Sequence, residues 1–412
     1  MYTCGPTVYD FPHIGNYRSN GKCPIKPRHW VMKCILLALS VIWSGVSCHG
    51  QTPPDQHKIV QDIDGIRTRF HIPGIAFGMA NCDGVLLSGA VGVREIGTTN
   101  LVAVSDSFHI GSLAKGLLAF VAAKLVDEGK ISWDTKFFDL YPEMRPTARE
   151  GYYGITLKDL LSHRALLQPF NDSHSEELID KYNALNEGGR FSTTKFASFG
   201  LTLEPVKYEP GQFYKYSTLG YLLASLMLEK ASGLSYAQLI AKTNEDLGVN
   251  FQIGWPMSNG KFQPSGHVVP KERGWGEGSS LTVWNGDKFT DWGEDYLFYA
   301  TPAGHLNVPV LDLLKYLQLC LNGVNGRDNY LKASTYDFIF TGAKEYSMGW
   351  GNEIVKGNHY YSHRGSIGTF IAFATIIKEP KTTFAIVANA GIVETMDGLL
   401  QVRDLLEAAY AK

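Results

Sequence analysis

The sequence predicts a mixed α/β fold of the α+β type: one antiparallel sheet, flanked by N- and C-terminal helices, with an inserted, mainly helical lobe. Apolar runs bounded by turn residues lie near both ends of the chain, which predicts strands there. Helical apolar spacing dominates roughly residues 110–265. Since no internal repeat is visible, the strands from the two ends are expected to form a single sheet.

The N-terminal elements are a helix followed by a hairpin. Ile59, Ile63, Ile66 and Phe70 recur at helical spacing, so a helix is predicted over Lys58–Phe70. Pro73-Gly74 ends this helix. Two strands, Ile75–Ala80 and Val85–Val91, follow and are joined by the turn at residues 81–84.

The C-terminal half returns to helix and then to strand. A helix is predicted around Val310–Leu321, followed by strands over Gly368–Ile377 and Thr383–Asn389. Residues 378–381 form the turn between these strands. An amphipathic helix over Leu399–Ala411 ends the chain.

The composition is that of a globular protein. Of 412 residues, 44% are hydrophobic and 19% charged, and the formal net charge is −2. Because there is no basic stripe, nucleic acid is not expected as a partner. The expected partner is a small-molecule or peptide substrate, and the sequence indicates no cofactor and no metal site.

Residues 32–48 resemble a secretory signal peptide. Lys33 precedes an apolar run from Ile35 to Trp43, and small residues follow. The run is shorter than the about 20 residues that span a bilayer, and the alternative is a buried strand or short helix. Residues 49–57 form a polar linker. We therefore expect an exported protein, periplasmic or extracellular, with lipidation at Cys48 as an alternative that would anchor it to a membrane.

Residues 1–31 lie upstream of this signal, although a signal peptide normally stands at the N-terminus of a chain. The stretch from Met1 to Arg18 resembles the opening motif of cysteinyl-tRNA synthetase, in which the residue matching Cys4 is a zinc ligand. Eighteen residues are too few for a domain, and no other synthetase motif follows. We interpret residues 1–31 as an extension or a mistaken start, with Met32 as the initiator, and residues 58–412 as one domain.

The six cysteines do not form a disulfide framework. Four lie within the first fifty residues, which leaves Cys82 and Cys320 in the body of the chain. These two either pair across the fold or remain free thiols, and we favour free thiols.

Ser112 and Lys115 form the first candidate catalytic motif. Apolar residues downstream repeat at helical spacing, so Ser112 lies at the start of a helix and Lys115 on the same face. The backbone N–H of Ser112 can face a developing oxyanion. A lysine buried under an apolar helix loses its charge more easily and can accept the serine proton. The alternative is a helix-capping serine beside a solvated lysine.

Tyr216 is the second candidate, because Pro210-Gly211 turns the chain and presents this tyrosine at the mouth of another helix. There it can relay a proton, although it could also be a buried aromatic residue.

His363, Gly365 and Ser366 form the third motif. Gly365 lets a substrate backbone lie close, Ser366 offers a second oxyanion donor, and His363 binds a substrate carboxylate, tunes Tyr216 or is structural.

The order Ser-x-x-Lys, Tyr-x-x and His-x-Gly resembles the serine β-lactamase and penicillin-binding protein family, closest to its class C, esterase and D-aminopeptidase branch. Supporting segments resemble family motifs as well, and the resemblance covers about residues 58–408. These segments are Leu160-Leu161-Ser162-His163, Tyr208–Tyr221, Pro302-Ala303-Gly304 and Gly349-Trp350-Gly351.

The resemblance implies that Ser112 is acylated, that Lys115 and Tyr216 share acid/base work, and that the amides of Ser112 and Ser366 form the oxyanion hole. Thr218 replaces the usual asparagine of Tyr-x-Asn, which puts recognition of an acylamino group in doubt. His363 replaces the lysine of Lys-Thr-Gly. Arg164-Ala165 stands where the family tends to have Thr-Ser-Gly, and His163 is interpreted as structural.

The motifs support three candidate functions to different degrees. The leading one is hydrolysis of an ester, D-amino peptide or β-lactam through an acyl-enzyme. The alternative is a catalytically silent, penicillin-binding-like sensor or scaffold, which the threonine at position 218 leaves open. An aminoacyl-tRNA ligase rests on residues 1–18 alone and lacks the remaining machinery.

Overall fold

The computed structural model describes residues 54–171, 174–186, 191–259, 262–268, 281–284 and 295–410. The predicted extension, signal peptide, Cys48 and most of the linker lie outside these residues. The helices are α1 (Gln56–Arg69), α2 (Ala114–Asp127), α3 (Phe137–Leu140), α4 (Leu157–Leu161), α5 (His174–Leu185), α6 (Thr193–Thr202), α7 (Thr218–Ser232), α8 (Tyr236–Leu247), α9 (Asp295–Gly304), α10 (Val310–Val324), α11 (Ala333–Thr341) and α12 (Val393–Tyr410). The strands are β1 (Gly74–Asn81), β2 (Val85–Gly92), β3 (Ser107–His109), β4 (Gln252–Ile253), β5 (His267–Val268), β6 (Thr282–Val283), β7 (Leu306–Pro309), β8 (Tyr346–Ser347), β9 (Trp350–Val355), β10 (Asn358–Ser366), β11 (Ile371–Ile377) and β12 (Thr382–Ala388).

The main sheet joins strands from both ends of the chain. Within the described residues it has seven strands in the order β2-β1-β12-β11-β10-β9-β8, and every neighbouring pair is antiparallel. Strand β1 pairs with β12, so that Phe77 lies opposite Ile386. This confirms the predicted sheet.

The two faces of the sheet bury separate cores. On β12, Ile386 faces the cluster that contains residues of α1 and α12, whereas the next residue, Val387, faces the cluster of the helical lobe. Successive side chains on a strand point to opposite faces, so a strand covered on both sides is apolar throughout. All seven residues of β12 are buried.

The hairpin between β1 and β2 follows the predicted turn. The side-chain oxygen of Asn81 accepts hydrogen bonds from the amides of Asp83 (2.8 Å) and Gly84 (2.9 Å). An asparagine that bonds the backbone two and three residues ahead stabilises such a turn.

Strand β11 and helix α12 begin at other residues than predicted. Gly368 has φ +77°, which belongs to the turn before β11, so that strand begins at Ile371 instead of residue 368. Helix α12 begins at Val393, six residues earlier than predicted, because Glu394, Asp397 and Gly398 obscure the apolar period there. Residues 363–366 lie within a strand of their own, β10.

Cys82 and Cys320 are both free thiols, so the favoured interpretation of these two residues is confirmed. Cys320 is buried on α10 and Cys82 is half-buried in the hairpin turn. Across the described ranges, none of the helices combines the length and the apolar character that crossing a membrane requires.

Candidate active site

Ser112 lies in a single 3₁₀ turn, Gly111–Leu113, which leads from β3 directly into α2. Gly111 has φ +50°, a left-handed conformation that glycine adopts without strain. The turn leaves Ser112 half-buried while its neighbours Gly111 and Leu113 are buried. The predicted position at a helix start is therefore confirmed, with a 3₁₀ turn as the added detail.

Lys115 is buried beneath the serine, with 1% of its surface exposed. Its Nζ lies 3.2 Å from Oγ of Ser112 and donates to the carbonyl oxygen of Ala303 at 2.7 Å. Burial lowers the pKa of Lys115 to about 7. In its neutral form, an amine at this position can accept a proton from the serine hydroxyl while it donates a hydrogen to Ala303.

The first turn of α2 is supported by the segment Gly349-Trp350. Gly349 has φ +82°, and a Cβ on it would lie 2.7 Å from the carbonyl oxygen of Lys115. A Cβ on Gly116 would meet the Trp350 ring at 2.9 Å. The contact between this segment and the helix that carries Lys115 thus requires glycine at position 349 and at position 116. The segment belongs to one of the motifs that resemble the family.

Strand β10 crosses the nucleophile turn at a contact between two glycines. A Cβ on Gly365 would lie 1.8 Å from the carbonyl oxygen of Ile110 and 3.0 Å from the amide nitrogen of Ser112. A Cβ on Gly111 would lie 2.5 Å from the amide nitrogen of Ser366. Because Gly111 and Gly365 have no side chains, the two backbone segments approach closely. This brings the amides of Ser112 and Ser366, the two predicted oxyanion donors, near each other.

Tyr216 lies beside Lys115, whose Nζ is 4.8 Å from the centroid of the tyrosine ring. It immediately precedes Ser217, the N-cap of α7, whose Oγ accepts a hydrogen bond from the amide of Gly220. The structure thus brings together the three residues Ser112, Lys115 and Tyr216 that were predicted from separate motifs.

A loop at residues 163–170 holds Tyr216 in place. The carbonyl oxygens of His163 and Pro169 accept the amides of Lys215 and Thr218, at 2.9 and 2.7 Å. His163, Leu166 and Phe170 have positive φ values between 51° and 60°, which is strained for residues with a Cβ. The loop therefore stores backbone strain and uses its carbonyl groups to position the tyrosine.

His163 has a structural role, as the sequence suggested. Its Nδ1 accepts a hydrogen bond from the amide of Ser217 at 3.1 Å, and its ring centroid lies 4.3 Å from that of Tyr216. Burial, and secondarily the positive Lys115, lower the pKa of His163 well below the usual value. The neutral ring packs against Tyr216 and bonds the residue that follows it.

His363 is also neutral, because burial and then Lys115 lower its pKa to about 3. Its Nδ1 lies 2.7 Å from the carbonyl oxygen of Arg364, so that nitrogen carries the proton. Its Nε2 therefore accepts from the hydroxyl of Tyr346, at 3.0 Å. Since both nitrogens are engaged, a substrate carboxylate would have to displace Tyr346 to bind this ring.

Thr218, predicted to contact substrate, is the first residue of α7 and is buried. Its backbone amide donates a hydrogen bond to the carbonyl oxygen of Pro169. The threonine thus contributes to the packing at the start of the helix.

Two residues that build the site were not identified from the sequence. Tyr346 fixes His363, and its position three residues before the flagged segment Gly349-Trp350-Gly351 was the available signal. Arg164, one of the two residues that stand where the family tends to have Thr-Ser-Gly, is the other. Its guanidinium in fact donates to three carbonyl oxygens, those of Ser162 (2.7 Å), Lys344 (2.5 Å) and Tyr346 (2.8 Å).

Two cavities open at Tyr216. One of about 430 Å³ lies on the side of residues 211–216, and one of about 840 Å³ follows β9 and β10 past His363. Tyr214, Tyr216 and Glu345 line both of them.

Within the described ranges, no three His, Cys, Asp or Glu side chains are arranged to hold a metal ion.

Comparison with known protein families gives one match over most of the chain. The family described as Beta-lactamase matches residues 59–406, most of the chain. The chain belongs to the beta-lactamase family. Ser112, Lys115, Tyr216 and His363 all lie within the matched span.

Individual members of the beta-lactamase family are distant from this chain. Protein flp of Staphylococcus aureus (strain NCTC 8325 / PS 47) is 21% identical over 345 residues, which cover 83% of this chain and 64% of that protein. The chain thus spans less than two thirds of the length of this relative. Penicillin-binding protein 4 of Amycolatopsis lactamdurans is 34% identical over 111 residues, 27% of this chain and 29% of that protein.

Solved structures share the fold. An octameric penicillin-binding protein homologue from Pyrococcus abyssi superposes with a TM-score of 0.67 at 22% identity, covering 86% of this chain and 78% of that one. D-amino acid amidase from Ochrobactrum anthropi SV3, in complex with L-phenylalanine, has a TM-score of 0.65 at 18% identity and covers 85% and 98%.

Proposed function

We propose that the protein hydrolyses an amide, ester or lactam of a small acyl group through an acyl-Ser112 intermediate. The observation that carries this proposal is Lys115 Nζ, 3.2 Å from Oγ of Ser112, in an environment that lowers its pKa to about 7. A serine hydroxyl becomes nucleophilic when a neighbouring base takes its proton, and a neutral lysine is such a base.

In the first step the Ser112 oxygen attacks the carbonyl carbon while its proton moves to Lys115. The carbonyl oxygen gains negative charge, which the amides of Ser112 and Ser366 stabilise. As the intermediate collapses, the bond to the leaving group breaks and the leaving nitrogen or oxygen takes up the proton held by Lys115. The proton moves either directly or through Tyr216, which then gives its own proton to the leaving group and receives the one from Lys115. Water then attacks the acyl-enzyme, releases the acid and returns the proton to Ser112.

Amides of D-amino acids are the substrate class we favour among ester, D-amino peptide and β-lactam. The D-amino acid amidase with the same fold suggests this class. Glu345 lines both cavities beside Tyr216, and its side chain is 46% exposed. Its carboxylate lies 3.7 Å from Nζ of Lys344 in an exposed ion pair, with which the amino group of such a substrate would compete. The buried threonine at position 218 and the neutral His363 argue against ordinary penicillins.

The test is a comparison of the purified protein with Ser112→Ala. Each is incubated with a D-alanyl amide, p-nitrophenyl butyrate and a fluorescent penicillin, and the intact mass is measured. We expect turnover of the amide, an acyl adduct on the unmodified protein and neither in the variant. Absence of both adduct and turnover would favour the alternative, a catalytically silent sensor or scaffold.

Export is a separate proposal, based on residues 32–48. If Met32 is the initiator and the signal peptide is cleaved near Ser47 or Cys48, the native protein begins just before the described residues. N-terminal sequencing of protein from its own source tests this. A mature chain that includes residues 1–31 would contradict it.

A further inference from the structure

Two buried histidines that the proposed mechanism does not use lie behind the nucleophile. His109 is the last residue of β3 and fully buried, and His305 follows the last residue of α9. Nε2 of His109 lies 3.1 Å from Nδ1 of His305. On its other side, Nδ1 of His109 is 3.1 Å from the amide nitrogen of Gly111, the residue before Ser112.

These contacts determine which nitrogens carry protons. An amide N–H only donates, so Nδ1 of His109 accepts from Gly111 and is unprotonated. In a neutral ring the proton is then on Nε2, which donates to Nδ1 of His305. The result is a directed chain of hydrogen bonds from the Gly111 amide through His109 to His305. Protonation of His109 on Nδ1 would break this chain at the nucleophile turn.

The environment keeps His109 neutral. The rings of Trp255, Phe370 and His305 lie against it, with centroids at 5.0, 6.3 and 5.3 Å. Burial, and to a smaller extent His305, lower the pKa of His109 well below its usual value. For His305, burial lowers the pKa to about 4.

The segment that contributes His305 contacts each part of the nucleophile machinery. Its residue Ala303 accepts the hydrogen bond from Lys115. A Cβ on Gly304 would be 3.7 Å from the carbonyl carbon of Gly111 and 3.9 Å from the amide nitrogen of Ser112. Three consecutive residues, 303–305, thus contact the base, the turn and the histidine that bonds the turn.

We propose that His109 and His305 are positioning residues, which hold the Gly111–Ser112 turn so that the hydroxyl and the amide of Ser112 keep their reactive directions. This inference rests on the proposed acyl transfer at Ser112. The pair acts through the Gly111 amide and contacts neither the Ser112 hydroxyl nor Lys115 in the hydrogen bonds described. Misplacement of a reacting group by about 1 Å can cost about a hundredfold in rate.

Asparagine and leucine substitutions separate hydrogen bonding from packing. In His109→Asn the side-chain oxygen can still accept from Gly111, whereas His109→Leu removes the acceptor. His305→Asn and His305→Leu make the same comparison for the hydrogen bond between His109 and His305, which lies one bond further from Ser112. His267→Leu is the matched control, because His267 is also fully buried and its ring also accepts a backbone amide, that of Ile96, at 3.1 Å.

Inactivation by an alkyl fluorophosphonate is measured first, since it separates binding (KI) from the chemical step (kinact). For His109→Leu we expect kinact to fall about 10–100-fold with KI within about twofold. His305→Leu should lose about 3–10-fold, and the two asparagine variants should recover most of the rate. His267→Leu should keep its kinact, whatever its thermal stability.

Hydrogen exchange of the peptide that contains residues 108–113 is measured on the same proteins and does not depend on activity. We expect the Gly111 amide to exchange at least about tenfold faster in His109→Leu than in His109→Asn. Equal exchange and equal kinact in the leucine and asparagine variants would overturn the inference. If the unmodified protein is not labelled, the acyl-enzyme proposal fails, and the exchange rates alone decide whether the pair fixes the turn.

Discussion

The site has two walls, one that carries Ser112 and Lys115 and one that carries Tyr216, and they are held by different kinds of contact. The Ser112 wall, residues 109–115 with Gly365 and Ser366, is fixed mainly by backbone segments that meet at glycines, with one side-chain contact from the Gly111 amide to His109. The Tyr216 wall, residues 163–170 and 214–218 with Tyr346 and His363, is fixed by side chains and by a loop with three positive-φ residues. Backbone contacts of this closeness leave no room for adjustment, whereas a side-chain network can lose one bond and keep the rest.

This difference predicts how each wall responds to substitution. Changes to the Ser112 wall should lower activity strongly, because they move the reacting atoms themselves. Changes to the Tyr216 wall should have graded effects.

Lys115→Met removes the base from the Ser112 wall. We expect the rate of acylation to fall about 10³–10⁴-fold, near the upper range for loss of a general base. At pH 7 the melting temperature should rise, because a buried amine whose pKa is lowered to about 7 destabilises the folded state relative to an apolar side chain. A burst assay and thermal unfolding measure the two effects. A variant that is both inactive and less stable would show that Lys115 is needed for folding as well.

Gly365→Ala tests the glycine contact. The added Cβ would overlap the carbonyl oxygen of Ile110, so β10 must shift and the Ser366 amide with it. We expect kcat to fall about 10²–10³-fold, the loss typical of one oxyanion donor. Gly154→Ala is the control, since a Cβ there would meet nothing within 4 Å. Activity within about twofold for Gly365→Ala would mean that this strand edge is more mobile than the contact indicates.

The pH dependence of acylation tests the charge state of Lys115. Its neutral form is the base, so the rate should fall about tenfold for each pH unit below about 7 and level off above it. His363, whose pKa is lowered to about 3, should leave no inflection between pH 5 and 8. Stopped-flow acylation from pH 5 to 9 gives the profile. An acid limb centred far from pH 7 would assign the base role to another group.

Tyr346→Phe removes one hydrogen bond from the Tyr216 wall. His363 loses the donor to Nε2 but keeps its bond to the Arg364 carbonyl oxygen. We expect kcat/KM to fall only about 3–10-fold, because the ring still packs against His163 and Tyr216. Tyr236→Phe, which removes another buried tyrosine hydroxyl, is the control and should not change kcat/KM. A loss beyond about a hundredfold would place Tyr346 in the chemistry itself.

The sequence by itself determined the sheet from both ends of the chain, the helix that carries Ser112 and Lys115, and the three motifs of the site. These features depend on local spacing, since helical or alternating apolar periodicity and the Ser-x-x-Lys interval are properties of neighbouring residues. The boundary of α12 was missed because polar residues in its first turn hide that period.

The tertiary structure decided what surrounds these motifs. The bond between His109 and His305 joins residues 196 positions apart, and the bonds of Arg164 to Lys344 and Tyr346 span 180 and 182 positions. No local pattern records such contacts. The charge states of Lys115 and His363 also depend on the tertiary structure, because the burial that lowers both pKa values exists only in the folded chain.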